Sequence, residues 1–323
     1  MTRNTQSLQG TNPEHIAQAV QWLRQGELVA VPTETVYGLA ADASQPEAVR
    51  AIFTAKGRPI DHPLIVHLPS AAHLPEWAVV SVAAQQLADA FWPGPLTLLL
   101  PKQPQVLAVV TGGLPSVGVR VSAHPVLQAV LAQANIAVAA PSANLYRKLS
   151  PTTAAQALAG LDGRIAGVLD GGPCAYGLES TIVDLTGSVP QVVRAGPISA
   201  EAIAEVLGQP VAQPQQHSVK VSGNVNAHYQ PNTPVCLLPW SEALQQLPSG
   251  ARLGLLSSGP APDHAAAFWS LPADARGYAQ ALYQTLAEAD QAGLDWLVVE
   301  PPPTGPDWRA VHDRLQRAAT LKA

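Results

Sequence analysis

Short apolar runs alternate along most of this chain with segments of helical period, and that interleaving is what restricts the fold. The opening helix is well signalled: Asn12 can cap it, Pro13 suits its first turn, Gly26 lies past its end, and Ile16, Ala19, Val20 and Leu23 share one face. Strand-like runs follow at 28–32, 63–68, 97–101, 117–121, 136–141, 167–170, 180–185 and 190–195. Helical stretches stand near 46–55, 81–91, 125–134, 152–159 and 199–207. Strands alternating with helices predict an α/β domain around a buried sheet. The last three strands follow one another with little between them, so the sheet is expected to be mixed.

At 323 residues the chain exceeds one average domain. A first domain is read over 1–208. Residues 209–233 are polar and rich in Pro and Gln, a linker composition. A smaller α/β domain is read over 234–323, with strands near 235–239, 252–258 and 296–301 and helices near 241–247, 278–291 and 308–319. Hydrophobic residues make up 47% and charged residues 13%, which supplies sizeable cores and excludes a disordered chain. A net charge of -5 argues against a protein that coats nucleic acid. The two cysteines, Cys174 and Cys236, have neither metal-ligand nor disulfide-framework spacing. With no secretory leader and no apolar run near the roughly 20 residues that span a bilayer, a cytoplasmic protein is expected.

No lysine precedes Ser or Thr, so a Walker A loop is absent, and no G-x-G-x-x-G occurs. The basic residues are the informative ones. Lys and Arg total 18, and six fall in turn-bounded, otherwise apolar segments: Lys56, Arg58, Arg120, Arg147, Lys148 and Arg194. A guanidinium inside a run such as VGVRV costs several kcal/mol to bury unless an anion meets it. For one arginine alone, an ion pair with Glu34, Glu179 or Asp184 is the favoured reading. Several such cations in a carboxylate-poor domain tilt the expectation toward an anionic ligand. Thr33-Glu34-Thr35, Pro141-Ser142-Ala143-Asn144 and Gly177-Leu178-Glu179-Ser180-Thr181 add hydroxyls and N–H groups at turns. Taken singly, each is more often a turn or a cap, and His67 a satisfied core histidine.

Together these segments resemble a family. VPTETVYGLAADA, KGRPIDHPLIVHL, FWPGPLTLLL, VGVRVSAHP, APSAN, SPT and DGG…GLESTIVDL…VVRAG look like the YrdC-like threonylcarbamoyl-adenylate synthases, in family order across 28–196. Their Lys-x-Arg and Ser-x-Asn pair stands here as Lys56-Gly57-Arg58 and Ser142-Ala143-Asn144. The second domain matches the two-domain long form in size and position.

The resemblance implies a twisted mixed sheet around a deep basic cavity, with a Rossmann-like C-terminal domain. It implies an enzyme joining L-threonine, bicarbonate and ATP into threonylcarbamoyl-AMP and pyrophosphate, with Mg²⁺ riding on the phosphates. A downstream transferase complex then modifies adenosine 37 of tRNA, and direct contact with tRNA is a further expectation. Carried over residue by residue, the threonine side is Thr35, His67, Arg120, the backbone of Ala140, and Ser180. The nucleotide side is Lys56, Arg58, His62, Ser116, Ser142, Asn144, Ser150, Arg194 and, from the linker, Tyr229. Lys56 and Arg58 are the expected catalytic cations, and the linker is expected to act as a lid. Where the long form usually carries a basic linker stretch, this chain reads Ser222-Gly223-Asn224-Val225-Asn226-Ala227-His228-Tyr229. A second reading is an RNA-binding or tRNA/ribosome maturation module without turnover.

Overall fold

The computed structural model describes residues 4–214, 219, 221, 229–262 and 264–322. Residues 222–228 of the linker lie outside the described residues. The chain divides into two compact units, Met1–Tyr146, Pro151–Ala175 and Glu179–Asn224 forming the first, and Arg147–Ser150, Tyr176–Leu178 and Val225–Ala323 the second.

Unit one is built on ten strands: β1 (Gln6–Gln9), β2 (Val29–Val31), β3 (Gly38–Asp42), β4 (Ile65–His67), β5 (Leu96–Pro101), β6 (Ser116–Arg120), β7 (Val138–Ala139), β8 (Gly167–Asp170), β9 (Thr181–Asp184) and β10 (Gln191–Arg194). They form one twisted sheet in the order β1-β8-β2-β3-β7-β4-β6-β5-β9-β10. Parallel and antiparallel pairings alternate irregularly, so the sheet is mixed as expected. The opening helix runs Pro13–Arg24, and the Asn12 side chain accepts from the Glu14 N–H. Strands β1 and β3 were not marked by the sequence pattern. QSLQ is polar and GLAAD lacks β-branched residues, so both owe their state to their neighbours.

Side-chain parity divides the sheet's two faces. Val66, Leu98, Val117, Val119, Ala139 and Val183 point to one face. Helices Pro46–Lys56, Val82–Phe91, Ala154–Leu161 and Ala200–Leu207 cover them. The opposite face is covered only in part. Helices Pro13–Arg24 and Pro125–Ala134 bury Val29, Val31, Ala40, Val138 and Leu169 there. Past them the same face carries only a small apolar cluster, Leu99, Ile182, Val193 and Val221. Thr97, Ser116, His67 and Arg120 share that part of the face.

Unit two holds β11 (Val235–Leu237), β12 (Leu253–Ser257), β13 (Ala267–Ser270), β14 (Trp296–Val299) and β15 (Leu321–Lys322). Every pairing is parallel and the order is β13-β12-β14-β11-β15. Helices Trp240–Gln246, Ala275–Ala289 and Arg309–Ala318 connect them. Parallel strands buried on both faces read as continuous apolar runs, which is why LGLLS and WLVV stood out. Among the described residues no helix is long and apolar enough to cross a membrane. Cys174 and Cys236 are buried and form no disulfide.

The turn that seats the Arg58–Pro63 loop depends on Gly112. Its φ is +60° and an added Cβ would stand 2.4 Å from the Asp61 carbonyl oxygen. Gly113 has φ +83° with nothing within 4 Å. Gly113→Ala should therefore cost only the left-handed backbone penalty of about 1–2 kcal/mol. Gly112→Ala should cost more, because the Asp61 peptide must also move. Urea midpoints of the two variants measure the difference.

Candidate active site

The loop between β2 and β3 is tied by Thr33, whose hydroxyl accepts the N–H groups of Thr35 and Val36 at 3.1 and 3.2 Å. That turn buries Glu34 and sets the Thr35 hydroxyl 2.8 Å from that of Thr33. Arg120 ends β6 beside His67 in the β4–β6 register. Its Nε donates to the Gly94 carbonyl at 3.1 Å and its Nη1 to Thr35 Oγ1 at 2.9 Å. Its Nη2 stands 2.6 Å from Glu34 Oε1. Those two atoms meet as charges without a linear hydrogen bond, and neither has another hydrogen-bond partner among the described residues. Glu34 Oε2 in turn accepts from the Ser122 hydroxyl. For Arg120 the ion-pair reading holds, and of the carboxylates the sequence left open Glu34 is the one. That carboxylate sits inside the protein and offsets the cost of burying the guanidinium.

The Lys-x-Arg and Ser-x-Asn motifs meet in space. Helix Pro46–Lys56 ends at Gly57 in the left-handed conformation, which turns the chain sharply at Lys56. Lys56 Nζ is buried and donates to the Ser142 carbonyl, to the Asn144 carbonyl at 2.5 Å and to Asn144 Oδ1 at 3.4 Å. Burial and the neighbouring Arg58 hold its pKa well below the usual lysine value, while three oxygen acceptors suit an ammonium. The Tyr146 N–H donates to the Lys56 carbonyl at 2.9 Å, closing the join from the other side. Arg58 Nη2 donates to the Pro63 carbonyl at 3.0 Å, bracing the loop into β4. His62 meets the Tyr146 ring edge-on at 5.6 Å.

The remaining residues line the open face. Ser180 precedes β9 with the parity of Ile182, and its hydroxyl lies 2.8 Å from that of Thr97. Arg194 faces Ile182 across a bulge in β10. It donates from Nε to the Ser180 carbonyl at 3.0 Å and from Nη2 to the Ser180 hydroxyl at 2.9 Å. Ser116 and Arg120 flank Gly118 at alternate positions of β6, so both side chains point the same way. A small, open hollow lies over this face with Ser116, Thr97, Gly118, Ile65, Ile182 and Val221 in its lining. The Ala140 N–H donates to Ile65 at 2.9 Å, committing that backbone donor to the sheet.

Ser150 and Tyr229 belong to unit two. Tyr229, at φ +60°, stacks on Tyr283 at 5.6 Å, and the Arg314 guanidinium lies 5.4 Å from its ring centre. Arg147 and Lys148 are in the same unit, where Lys148 Nζ donates to Asn232 Oδ1. Among the described residues no group of three His, Cys, Asp or Glu is placed to hold a metal ion.

The family model described as telomere recombination matches residues 21–196, and that described as threonylcarbamoyl-AMP synthase, C-terminal domain, matches 198–320. The chain is 38% identical to the threonylcarbamoyl-AMP synthase of Bacillus subtilis (strain 168), over 96% of this chain and 94% of that protein. The chain belongs to the threonylcarbamoyl-AMP synthase family. Its Pyrococcus abyssi member is 36% identical over 93% of both chains. A crystal structure of P. abyssi Sua5 complexed with L-threonine superposes with a TM-score of 0.90 at 34% identity, covering 99% of each chain. E. coli YciO, at 22% identity, a TM-score of 0.55 and 62% of this chain, shares the fold of the first unit's scaffold alone.

Within this member of the family, sequence reasoning missed Ser122 and Thr97, which hold Glu34 and Ser180. A serine two residues past a strand arginine carries no signal of its own. Burial raises the Glu34 pKa, but Arg120, the Ser122 hydroxyl and the Ala123 N–H outweigh it and hold the carboxyl at about 2. Burial and then Arg120 press His67 down to about 3, so its imidazole is neutral at physiological pH. Both groups leave the unfolded chain binding more protons in acid than the folded one. Stability should therefore be unaffected by His67 above its ordinary 6.5 and fall as pH drops toward about 3, with Glu34 adding its loss below 4.5. His124, also held down by burial, adds to the first slope. Urea unfolding across this range checks the sign. His67→Gln should flatten the slope between about pH 6.5 and 4.5, and Glu34→Gln should remove the steeper part below it.

Proposed function

We propose that this chain makes L-threonylcarbamoyl-AMP from L-threonine, bicarbonate and ATP, with release of pyrophosphate, for threonylcarbamoylation of tRNA by a downstream transferase. The observation that carries this reading is the whole-length likeness to P. abyssi Sua5 complexed with L-threonine, in both units at once. The local geometry of the first unit supports it, because His67, Arg120, Ser116, Ser180 and Arg194 lie along one sheet face and Lys56 is joined to the Ser142–Asn144 turn. A site in the cytoplasm, alongside ATP and tRNA, belongs to the same reading.

The threonine amine first attacks the carbon of bicarbonate with loss of water, or that of CO₂ with loss of a proton from the amine, giving a carbamate in either case. A carbamate oxygen then attacks the α-phosphorus of ATP, and the bond from that phosphorus to the β-phosphate oxygen breaks. Negative charge builds on the phosphoryl oxygens and on departing pyrophosphate, so catalysis is chiefly orientation and electrostatic stabilisation. In this reading Arg120, Thr35, His67, Ser180 and the Ala140 backbone hold threonine, Arg120 meeting its carboxylate. Neutral His67 serves there as a hydrogen-bonding group rather than a cation. Arg58, Arg194, His62, Ser116, Ser142 and Asn144 serve the nucleotide. Lys56 contributes charge and, through its bonds to Ser142 and Asn144, presents that turn. The donor set is hydroxyls, amides and cations, which suits Mg²⁺ carried on the phosphates and offers no acidic cradle for a resident ion.

Incubation with ATP, threonine and bicarbonate, read by mass detection of threonylcarbamoyl-AMP and by pyrophosphate release, tests the reading. Product that requires all three substrates is the expected result. Binding of tRNA with steep salt dependence and no pyrophosphate would instead mark an RNA-binding module. Arg58→Ala and Arg194→Ala should each lower kcat/KM on the order of 10²-fold with circular dichroism unchanged. Lys56→Ala should lose activity and also about 1–3 kcal/mol of stability, since its carbonyl partners are left buried and unmet.

A further inference from the structure

Glu34 offsets the buried charge of Arg120, but the proposed reaction gives it no part. It is buried at 6% exposure, and its carboxylate faces the guanidinium that the proposed function gives to the threonine carboxylate. Placing a negative charge beside an anion-binding arginine weakens the attraction that arginine offers. A site selected for charge alone would carry a neutral residue here.

What Glu34 supplies is direction. A guanidinium has five N–H donors in a rigid fork. In Arg120 the Nε–H is fixed on Gly94, one Nη1 donor is fixed on Thr35, and Nη2 is drawn to Glu34. The three anchors come from the β5 approach, the β2–β3 loop and that same loop again, so the plane of the fork has no remaining rotation. Glu34 is itself fixed, because Ser122, two residues beyond Arg120, donates to its other oxygen. The result is a closed ring of contacts, Arg120 to Glu34 to Ser122 and back along the chain to Arg120.

We propose that Glu34 is a positioning residue for the threonine carboxylate, acting through Arg120, with Ser122 as its brace. This rests on the reading that Arg120 binds threonine. Glu34 touches no reacting atom. Its contribution is that the donors left on Arg120 point in one direction before substrate arrives, so binding does not have to order a long flexible side chain.

The two views of Glu34 differ in the sign of one measurement. If only charge matters, removing the carboxylate strengthens threonine binding. If Glu34 positions Arg120, removing it weakens binding despite the gain in net positive charge. The experiment is calorimetric titration of the full chain with L-threonine, alongside titration with a non-hydrolysable ATP analogue. Glu34→Gln is expected to weaken threonine binding about 10-fold or more, near the 1.4 kcal/mol that a tenfold change represents. Analogue binding should stay within about twofold. Glu34→Asp, which restores the charge on a shorter stem, should fall between. Because Glu34→Gln also strains the fold, Ser122→Ala gives a milder arm, expected to weaken threonine binding about two- to fivefold with the fold intact by circular dichroism. Unchanged or tighter threonine binding in Ser122→Ala and in folded Glu34→Gln overturns the inference alone. Equal weakening of threonine and analogue also overturns it, since that is what a general loosening produces. Absence of threonine binding in the unsubstituted chain overturns the reading beneath it as well.

Discussion

Four cations, Lys56, Arg58, Arg120 and Arg194, are each at most 8% exposed, and finding them oxygen partners is the demand that shapes the first unit. A charge out of water is tolerated only where oxygens converge on it. Lys56 draws the 142–144 turn against the end of helix Pro46–Lys56, and Arg194 draws Ser180 to β10. Arg120 draws the β2–β3 loop down onto β6. Loops distant in sequence are thereby pinned to the sheet and to one another by buried cations.

The partial cover of the sheet matters as much as the charges. Helices shield one face throughout and only part of the other. On the uncovered part, strand parity puts Ser116 and Arg120, His67, Thr97 and Ile182 on a common surface. A one-residue slip in β6 would send Arg120 into the apolar layer occupied by Val117 and Val119. The position of the site is thus a property of register, and the pairing of β6 with β4 and β5 protects it.

Much of this was legible in the amino acids. Runs such as LTLLLP and VGVRV declared themselves through β-branched and apolar content, and the Asn12–Pro13 start marked its helix. The strand GLAAD did not, because alanine and glycine carry no strand preference and its pairing with β2 and β7 decides the outcome. In the site, a charge buried in VGVRV was visible as a problem, and Glu34 was one of three solutions. Choosing among them required knowing that Thr33 folds its loop back under β6. Lys56 was visible as a cation but its partners were not, since two of them are backbone carbonyls and every residue has one. Tyr229 was legible as a residue of note, yet its stacking on Tyr283 and Arg314 depends on helices far along the chain.

The strand order carries a cost that is paid during synthesis. β8 lies between β1 and β2, pairing Gln6 with Gly167 and Ala30 with Val168. While the ribosome is still translating the intervening stretch, the first strand has no hydrogen-bonding neighbour, and the apolar row Val29–Val31 has only one side of its ladder filled. Closing so long a loop is entropically slow, and an unfilled strand edge attracts other chains meanwhile. QSLQ is polar at three of its four positions, so the edge that waits for β8 offers little apolar surface to other chains.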